Sequence, residues 1–217
     1  ALLGVKPDDS DDIRTKKATL TFAASIVTAL ALIWVATYLA LGLPRSAAIP
    51  FGYQILSMVS LILFARTKAY RPFRFTQIVA MLLLPFLLQW SLGGYVASSA
   101  VSLWALVAVL GALFFYPASQ AVSWFVAFVA LTILSGLADS IAARSAAPIP
   151  TVVVNAFFVL NILGVSLTAY LLLQYFVRER DAAMARSEGL LLNVLPRSIV
   201  ERLKRAGYLD STPDRRL

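Results

Sequence analysis

Three polar residues near the ends of long apolar segments have side chains that could contact a ligand: Asp139, Asn155 and Asn161. Asp139 offers a carboxylate, and each asparagine offers an amide that both donates and accepts hydrogen bonds. We therefore predict an outward-facing site for a small ligand or a cation at these residues. A single carboxylate makes a weak metal site, since calcium takes about six to eight oxygen ligands. A surface ion pair between Asp139 and Arg144 is the simpler alternative.

Composition excludes much other chemistry. The chain has no Cys and no His, which excludes disulfides, thiolate metal sites, His-based zinc sites, ligation of haem by His and Ser-His-Asp catalysis. The larger polar residues within the apolar segments are amides, and we expect them to form hydrogen bonds between helices. They are Gln54, Gln77, Gln89, Asn155, Asn161 and Gln174.

The elements that must position these residues are membrane-spanning helices. Of the 217 residues, 60% are hydrophobic and only 14% are charged, whereas a soluble domain is about 25% charged. Stretches such as 81–84 and 126–130 are apolar on every face, which favours helices over the alternating strands of a membrane β-barrel.

Charge-free runs predict six such helices. The longest run, residues 75–138, is divided by turn-forming residues at 91–99 and 116–120. A spanning helix needs about 20 residues, so each remaining run holds one. The predicted fold is an all-α transmembrane bundle with spans at 18–42, 48–65, 73–92, 99–116, 120–138 and 150–177.

Basic residues predict the orientation. Seventeen of the 19 Lys and Arg residues lie in the N-terminal tail, the loop between the second and third spans, and the C-terminal tail. Lys and Arg stay on the cytoplasmic side, so we predict a multi-pass protein of the cell membrane with both termini in the cytoplasm. Because these bases flank the spans, the net charge of +8 predicts contact with anionic lipid and no contact with nucleic acid.

The sixth helix is predicted to continue into the cytoplasm. Residues 178–188 contain good helix formers and no Gly or Pro. Apolar residues at seven-residue spacing favour a weak parallel coiled coil with a second copy, weakened by Asp181 and Glu188. The predicted dimer seam consists of Val177, Met184, Leu191 and Leu195.

Pro196 is predicted to end this rod, because proline lacks an N–H and clashes with the preceding turn. Residues 197–206 then form a short amphipathic helix, and Gly207 is suited to end it. The segment is therefore predicted to couple the membrane rod to a downstream part of the protein. The coupling residues are Glu188, Leu191, Asn193, Leu195, Pro196, Ile199, Glu201, Arg202, Leu203 and Lys204.

The sequence SEGLLLNVLPRSIVERLK at residues 187–204 resembles the segment that precedes the catalytic domain in class III nucleotide cyclases, the adenylate and guanylate cyclases. The resemblance is carried by the Ser-Glu pair, the Leu-rich turn, Leu195-Pro196 with Ile199, and the run from Glu201 to Lys204. Six helices with both ends cytoplasmic are also similar to the membrane anchor of bacterial adenylate cyclases of this class.

The resemblance implies that the chain is the membrane anchor and signal-transducing region of a dimeric adenylate cyclase, a phosphorus–oxygen lyase. Two catalytic domains would meet, bind ATP with two divalent metal ions (magnesium or manganese), and release cyclic AMP and pyrophosphate. Specificity for ATP over GTP stays open. We expect no catalytic, cofactor-binding or metal-binding residue in residues 1–217, since Asp210 and Asp214 do not match the family's metal motif.

The predicted organisation has four parts. They are a cytoplasmic tail (1–17), the transmembrane domain (18–177), a signalling helix with the transducer element (178–206), and the start of a linker to a catalytic domain (207–217). Two other functions stay open, namely a small transporter or channel with a regulatory tail and a membrane sensor with another output. The first is disfavoured because no span has an acid or base in its middle. The second is disfavoured by the pattern around Leu195-Pro196 and Glu201 to Lys204.

Overall fold

A computed structural model describes residues 4–146 and 148–194, and its regular elements are all helical. Within these ranges there is no strand, so the all-α prediction is confirmed. Short 3₁₀ segments at Val101–Trp104 and Ala143–Ser145 precede α4 and follow α5. The α-helices are α1 (Asp11–Ala40), α2 (Pro44–Thr67), α3 (Tyr70–Leu92), α4 (Ala105–Phe115), α5 (Ala118–Ala142) and α6 (Thr151–Val194).

Five of the described helices are long and apolar enough to cross a membrane: α1, α2, α3, α5 and α6. Their surfaces carry large apolar side chains, among them Phe22, Leu137 and Val152, which are 68%, 75% and 80% exposed. Apolar surface of this extent needs a lipid environment. By helix length and hydropathy, the chain is a multi-pass membrane protein.

The fourth helix is shorter than the sequence predicts. Its apolar helical stretch covers Val101–Phe115, fewer than the about 20 residues of a typical span. Ser99 and Ala100 both have left-handed backbone conformations (φ 57° and 54°), and these hold the chain in a turn before the helix starts. Helix α4 ends beside the start of α3, because Arg74 of α3 donates a hydrogen bond to the carbonyl of Phe115 at 2.6 Å.

The first helix begins earlier than its predicted span. The Ser10 side chain accepts the Ile13 N–H at 3.4 Å, which is the N-cap arrangement. Asp11 and Asp12 occupy the first turn, where their charge is favourable to the helix dipole. Part of the predicted tail is therefore helical. A cap followed by two acids is a sequence signal that a search for charge-free runs passes over.

Helix α3 is the most buried of the five long helices and lies at the centre of the bundle. Small residues of α4 allow its close packing against α3. Ala105, Ala108 and Ala112 are at most 1% exposed, and a Cβ added at Gly111 would lie 3.4 Å from Ile78 Cδ1. We call the side of the bundle where α1 begins the N-terminal side, and the other the opposite side.

The chain divides into two units, Ala1–Ala169 and Tyr170–Leu217. Helix α6 begins in the first unit and continues as one helix to Val194 in the second. All contacts described below between α6 and other helices belong to the first unit.

Candidate functional site

A network of buried polar side chains joins α1, α2 and α3. The hydroxyls of Thr28 and Ser57 are hydrogen-bonded at 2.8 Å, and Gln54 Nε2 donates to the carbonyl of Thr28 at 3.1 Å. Gln77 of α3 donates from Nε2 to Ser60 Oγ at 2.7 Å and to Ser57 Oγ at 3.3 Å. The expected interhelical bonding of Gln54 and Gln77 is therefore confirmed.

The network extends to Tyr53, whose hydroxyl donates to Gln77 Oε1 over 3.5 Å. Apart from this phenol the named groups are neutral amides and hydroxyls, none of which exchanges a proton readily near neutral pH. Interhelical hydrogen bonds in membranes contribute about 0.6–2 kcal/mol each. The network is suited to fixing three helices in register.

Beside this network lies an apolar cavity of about 140 Å³ between α1, α2, α3 and the 3₁₀ segment Val101–Trp104. Tyr53 belongs to both, since its ring lines the cavity while its hydroxyl joins the network. Pro50 of α2 and Pro85 of α3 also line it, each inside its helix. The remaining lining residues are Val27, Leu30, Ala31, Trp34, Ile49, Ala80, Met81, Leu84, Leu88, Val101 and Trp104.

Trp104 connects the cavity wall to α6. Its indole N–H donates to Asn161 Oδ1 at 3.0 Å, and Asn161 Nδ2 donates to the carbonyl of Ser99 at 2.9 Å. Asn161 is completely buried, so both ends of its amide are satisfied inside the protein. A Cβ added at Gly164 would lie 2.7 Å from Trp104 Cζ2, so the glycine makes room for the indole ring.

Aromatic rings complete this attachment of α6. Phe157 packs edge-on against Trp34 at 6.4 Å between ring centroids and stacks on Tyr38 at 6.4 Å. Trp34 in turn meets Trp104 edge-on at 6.1 Å. Within the first unit, α6 is thus held by one amide and a cluster of rings on the opposite side of the bundle.

Asp139 fixes the turn after α3. Its Oδ1 accepts the backbone N–H of Tyr95 at 2.8 Å, and a Cβ at Gly94 (φ 98°) would overlap this carboxylate. Two further bonds tie the same region to α5, from the Tyr95 hydroxyl to the carbonyl of Thr132 (2.9 Å) and from Trp90 Nε1 to Ser135 Oγ (2.9 Å).

The three residues predicted to form an outer site have separate surroundings. Asp139 bonds to the turn at Tyr95, Asn161 bonds to Trp104 and Ser99, and Asn155 is exposed on α6. In the described part of the chain, no group of three or more His, Cys, Asp or Glu side chains is arranged to hold a metal ion. A ligand or cation site at these residues stays a prediction.

On the N-terminal side, residues 4–10 fold back over the ends of α1 and α2. The nearly fully buried Lys17 ammonium donates to Asp9 Oδ2 at 2.7 Å and to the carbonyl of Gly4 at 3.1 Å. Gly4 lies against the ring of Phe64, where a Cβ would overlap it. The hydrogen bond from Lys17, aided by the Lys6 N–H, lowers the pKa of the Asp9 carboxyl below its ordinary value of 3.8.

Gln89 of α3 differs from the other buried amides. It is completely buried, yet neither its Nε2 nor its Oε1 has a hydrogen-bond partner among the described residues. An unpartnered buried polar group costs about 1–3 kcal/mol, so Gln89 is a local source of instability in the centre of the bundle.

The coupling residues are only partly covered by the described residues. Glu188, Leu191 and Asn193 lie on the backbone of α6, which continues through Gly189 to Val194. Leu195, Pro196, Ile199, Glu201, Arg202, Leu203 and Lys204 lie outside the described residues, as does the predicted kink. Of the predicted seam, Val177 and Met184 are 43% and 55% exposed, Leu191 lies on the α6 backbone, and Leu195 lies outside.

Sequence reasoning missed the residues that assemble the cavity and the α6 attachment. Aromatic residues of membrane spans commonly lie at the lipid interface, whereas Trp34, Tyr53 and Trp104 line the cavity. Two features of the sequence could have indicated that these residues pack inside the bundle. Pro50 and Pro85 both interrupt apolar spans, and Gly164 stands one helical turn from Asn161 on the same helix face.

These features define the class of protein as a multi-pass helical membrane protein with a network of buried polar side chains and an apolar cavity. Comparisons with protein-family models, curated proteins and solved structures found no match to this chain.

Proposed function

We propose that this chain is the membrane anchor and signal-transducing region of a dimeric adenylate cyclase, with six spans and both termini in the cytoplasm. The observation that carries the proposal is the continuity of α6, which runs without a break from Thr151 to Val194. The cyclase-like segment 187–204 therefore begins inside the same helix that contains the last apolar span.

The length of α6 supports transmission out of the membrane. The 44 residues of α6 are more than twice the about 20 residues that a spanning helix needs. A continuous helix of this length transmits rotation or translation directly, whereas a flexible linker would absorb it. Small displacements can be amplified when they bias an element that has two discrete packings.

Six crossings place both ends of the transmembrane domain on one side. In this proposal the short α4 is the fourth crossing, which the bond from Arg74 at the start of α3 to Phe115 at the end of α4 supports. With basic residues concentrated at 66–74 and after Val177, this side is the cytoplasmic one. That orientation would put the segment 187–204 where ATP is available.

The dimer is tested by disulfide crosslinking. In the proposed parallel pair, Met184→Cys and Leu191→Cys should each crosslink to the same residue of a second copy. Ala182→Cys is the matched control, because it lies about 160° around the helix from residue 184 at about 100° per residue. Efficient crosslinking of Ala182→Cys alone would refute the seam.

The enzymatic part is tested on the full-length protein in membranes. We expect conversion of ATP to cyclic AMP and pyrophosphate that depends on magnesium or manganese. Conversion of GTP alone would reassign the protein to guanylate cyclases. Absence of any cyclic nucleotide product from membranes that contain the folded full-length protein would refute the proposal and favour the transporter or another sensor.

A further inference from the structure

The cavity between α1, α2, α3 and the 3₁₀ segment has an almost entirely apolar surface. The polar atoms of Tyr53 and Trp104 in its walls are already bonded, to Gln77 and Asn161. Such walls give water or a polar ligand little to bond to. Apolar cavities of about 150 Å³ stay dry and bind small hydrocarbons, and this cavity of about 140 Å³ has a similar size.

One residue that lines the cavity lies on an exposed apolar face of α1. Leu30 lines the cavity and is 45% exposed, and Ile26 and Ile33 beside it are 42% and 53% exposed. Residues 26, 30 and 33 share one face of the helix. A molecule that enters beside Leu30 therefore comes from the bilayer and crosses only apolar side chains.

We propose that this cavity is a binding site for one hydrocarbon chain of a bilayer lipid, which enters beside Leu30 and lies against Trp34 and Trp104. Three observations favour this occupant: the walls are apolar, the lining residue Leu30 lies on an exposed apolar face of α1, and the volume matches a short length of hydrocarbon. Pro50 and Pro85 line the cavity from α2 and α3 and shape its walls.

Occupancy of the site would bear on α6 through Trp104, because Asn161 of α6 bonds to the indole of this wall residue. Binding rests on the geometry of the cavity, whereas this second step rests on the proposed function. A lipid chain shifts the state of α6 only to the extent that it binds one packing better than the other.

The test measures fluorescence quenching of Trp104 by lipid. The full chain with Trp34, Trp90 and Trp124 replaced by Phe is placed in nanodiscs of phosphatidylcholine whose acyl chain carries bromine at mid-chain, and in matched nanodiscs without bromine. Ala31→Phe fills the cavity from α1, and Ala80→Leu fills it from α3. Ala36→Phe, on the exposed face of α1, is the matched control for Ala31→Phe.

We expect brominated lipid to quench Trp104 emission. Ala31→Phe and Ala80→Leu should each reduce that quenching by roughly half or more, because packed interiors leave little room beside an added ring or branch. Ala36→Phe should leave it unchanged. No quenching in the protein with an unfilled cavity, or equal quenching in all four proteins, would overturn the site.

Two results separate failure of the site from other failures. If thermal unfolding shows that Ala31→Phe or Ala80→Leu does not fold, the quenching measured in the other variant tests the site. If quenching behaves as expected but filling the cavity leaves cyclic AMP production by the full-length protein unchanged, the lipid site stands and its link to α6 is refuted.

Discussion

Trp104 donates its indole N–H to the amide oxygen of Asn161 over 3.0 Å, and both residues belong to the first unit of the chain. This bond joins the cavity wall to the helix that carries the cyclase-like segment. A second bond of the same amide, from Asn161 Nδ2 to the carbonyl of Ser99, connects α6 to the turn at Ser99.

The Asn161 amide should contribute measurably to stability. Asn161→Ala leaves the Trp104 N–H and the Ser99 carbonyl without their partner, so we expect a loss of about 1–3 kcal/mol. Asn155→Ala, on an exposed position of the same helix, should change the free energy of unfolding by less than about 0.5 kcal/mol. Unfolding in detergent followed by circular dichroism measures both, and equal effects would contradict the assignment.

A pair of glycines tests the contact between α6 and the indole ring. Gly164→Ala places a Cβ 2.7 Å from Trp104 Cζ2, so we expect a lower melting temperature and a shift in Trp emission. Gly136→Ala, where nothing lies within 4 Å of the added atom, should be neutral or stabilising by up to about 1 kcal/mol. If Gly164→Ala is as stable as Gly136→Ala, the packing of α6 against Trp104 is wrong.

Gln89→Leu should stabilise the protein. The substitution removes two buried polar atoms that have no partner among the described residues, each of which costs about 1–3 kcal/mol. Gln77→Leu is the matched control on the same helix, and it should destabilise because Ser57 and Ser60 lose the hydrogen bonds that Gln77 donates. Thermal unfolding of the two variants decides, and a destabilised Gln89→Leu would show that this amide has a partner in the folded protein.

The N-terminal segment should loosen in acid. Because the folded-state pKa of Asp9 lies below 3.8, its ion pair with Lys17 contributes stability above about pH 4. That contribution is lost as the pH falls through the lowered pKa. Hydrogen exchange of residues 4–10, corrected for the intrinsic pH dependence of exchange, should lose protection in this range.

Asp9→Asn should reproduce this loosening at pH 7, since it removes the charge opposite the buried Lys17 ammonium. Asp12→Asn is the control, because Asp12 pairs with Lys16 at an exposed site. If residues 4–10 are equally protected from hydrogen exchange in both variants, the Asp9–Lys17 pair does not hold the segment.

The sequence predicted the helices well because charge is so costly inside a membrane that charge-free runs mark the spans. It missed the start of α1, where Ser10 and two acids begin a helix outside the apolar run, and it overestimated α4. The predicted α4 is too long because Ser99 and Ala100, which lie in the apolar run, form a left-handed turn before the helix begins.

The rotation of each helix about its axis was the harder problem. Helices such as α4 and α5 are apolar on nearly every face, so hydrophobic periodicity does not indicate which face is buried. The sequence therefore predicted that Gln54, Gln77 and Asn161 would bond between helices but could not name their partners. For the same reason Gln89 was grouped with the other amides, and the cavity went unrecognised.

In the proposed function, α6 and the segment after it transmit rotation from the membrane domain to a cyclase, so activity should depend on the helical phase of this segment. One residue inserted after Ser187, within α6, rotates everything downstream by about 100°, whereas seven nearly restore the phase. Membranes that contain the full-length protein are assayed for conversion of ATP to cyclic AMP. We predict that activity falls with one inserted residue and largely returns with seven; equal activity in the parent and both insertions would show that the segment is a passive tether.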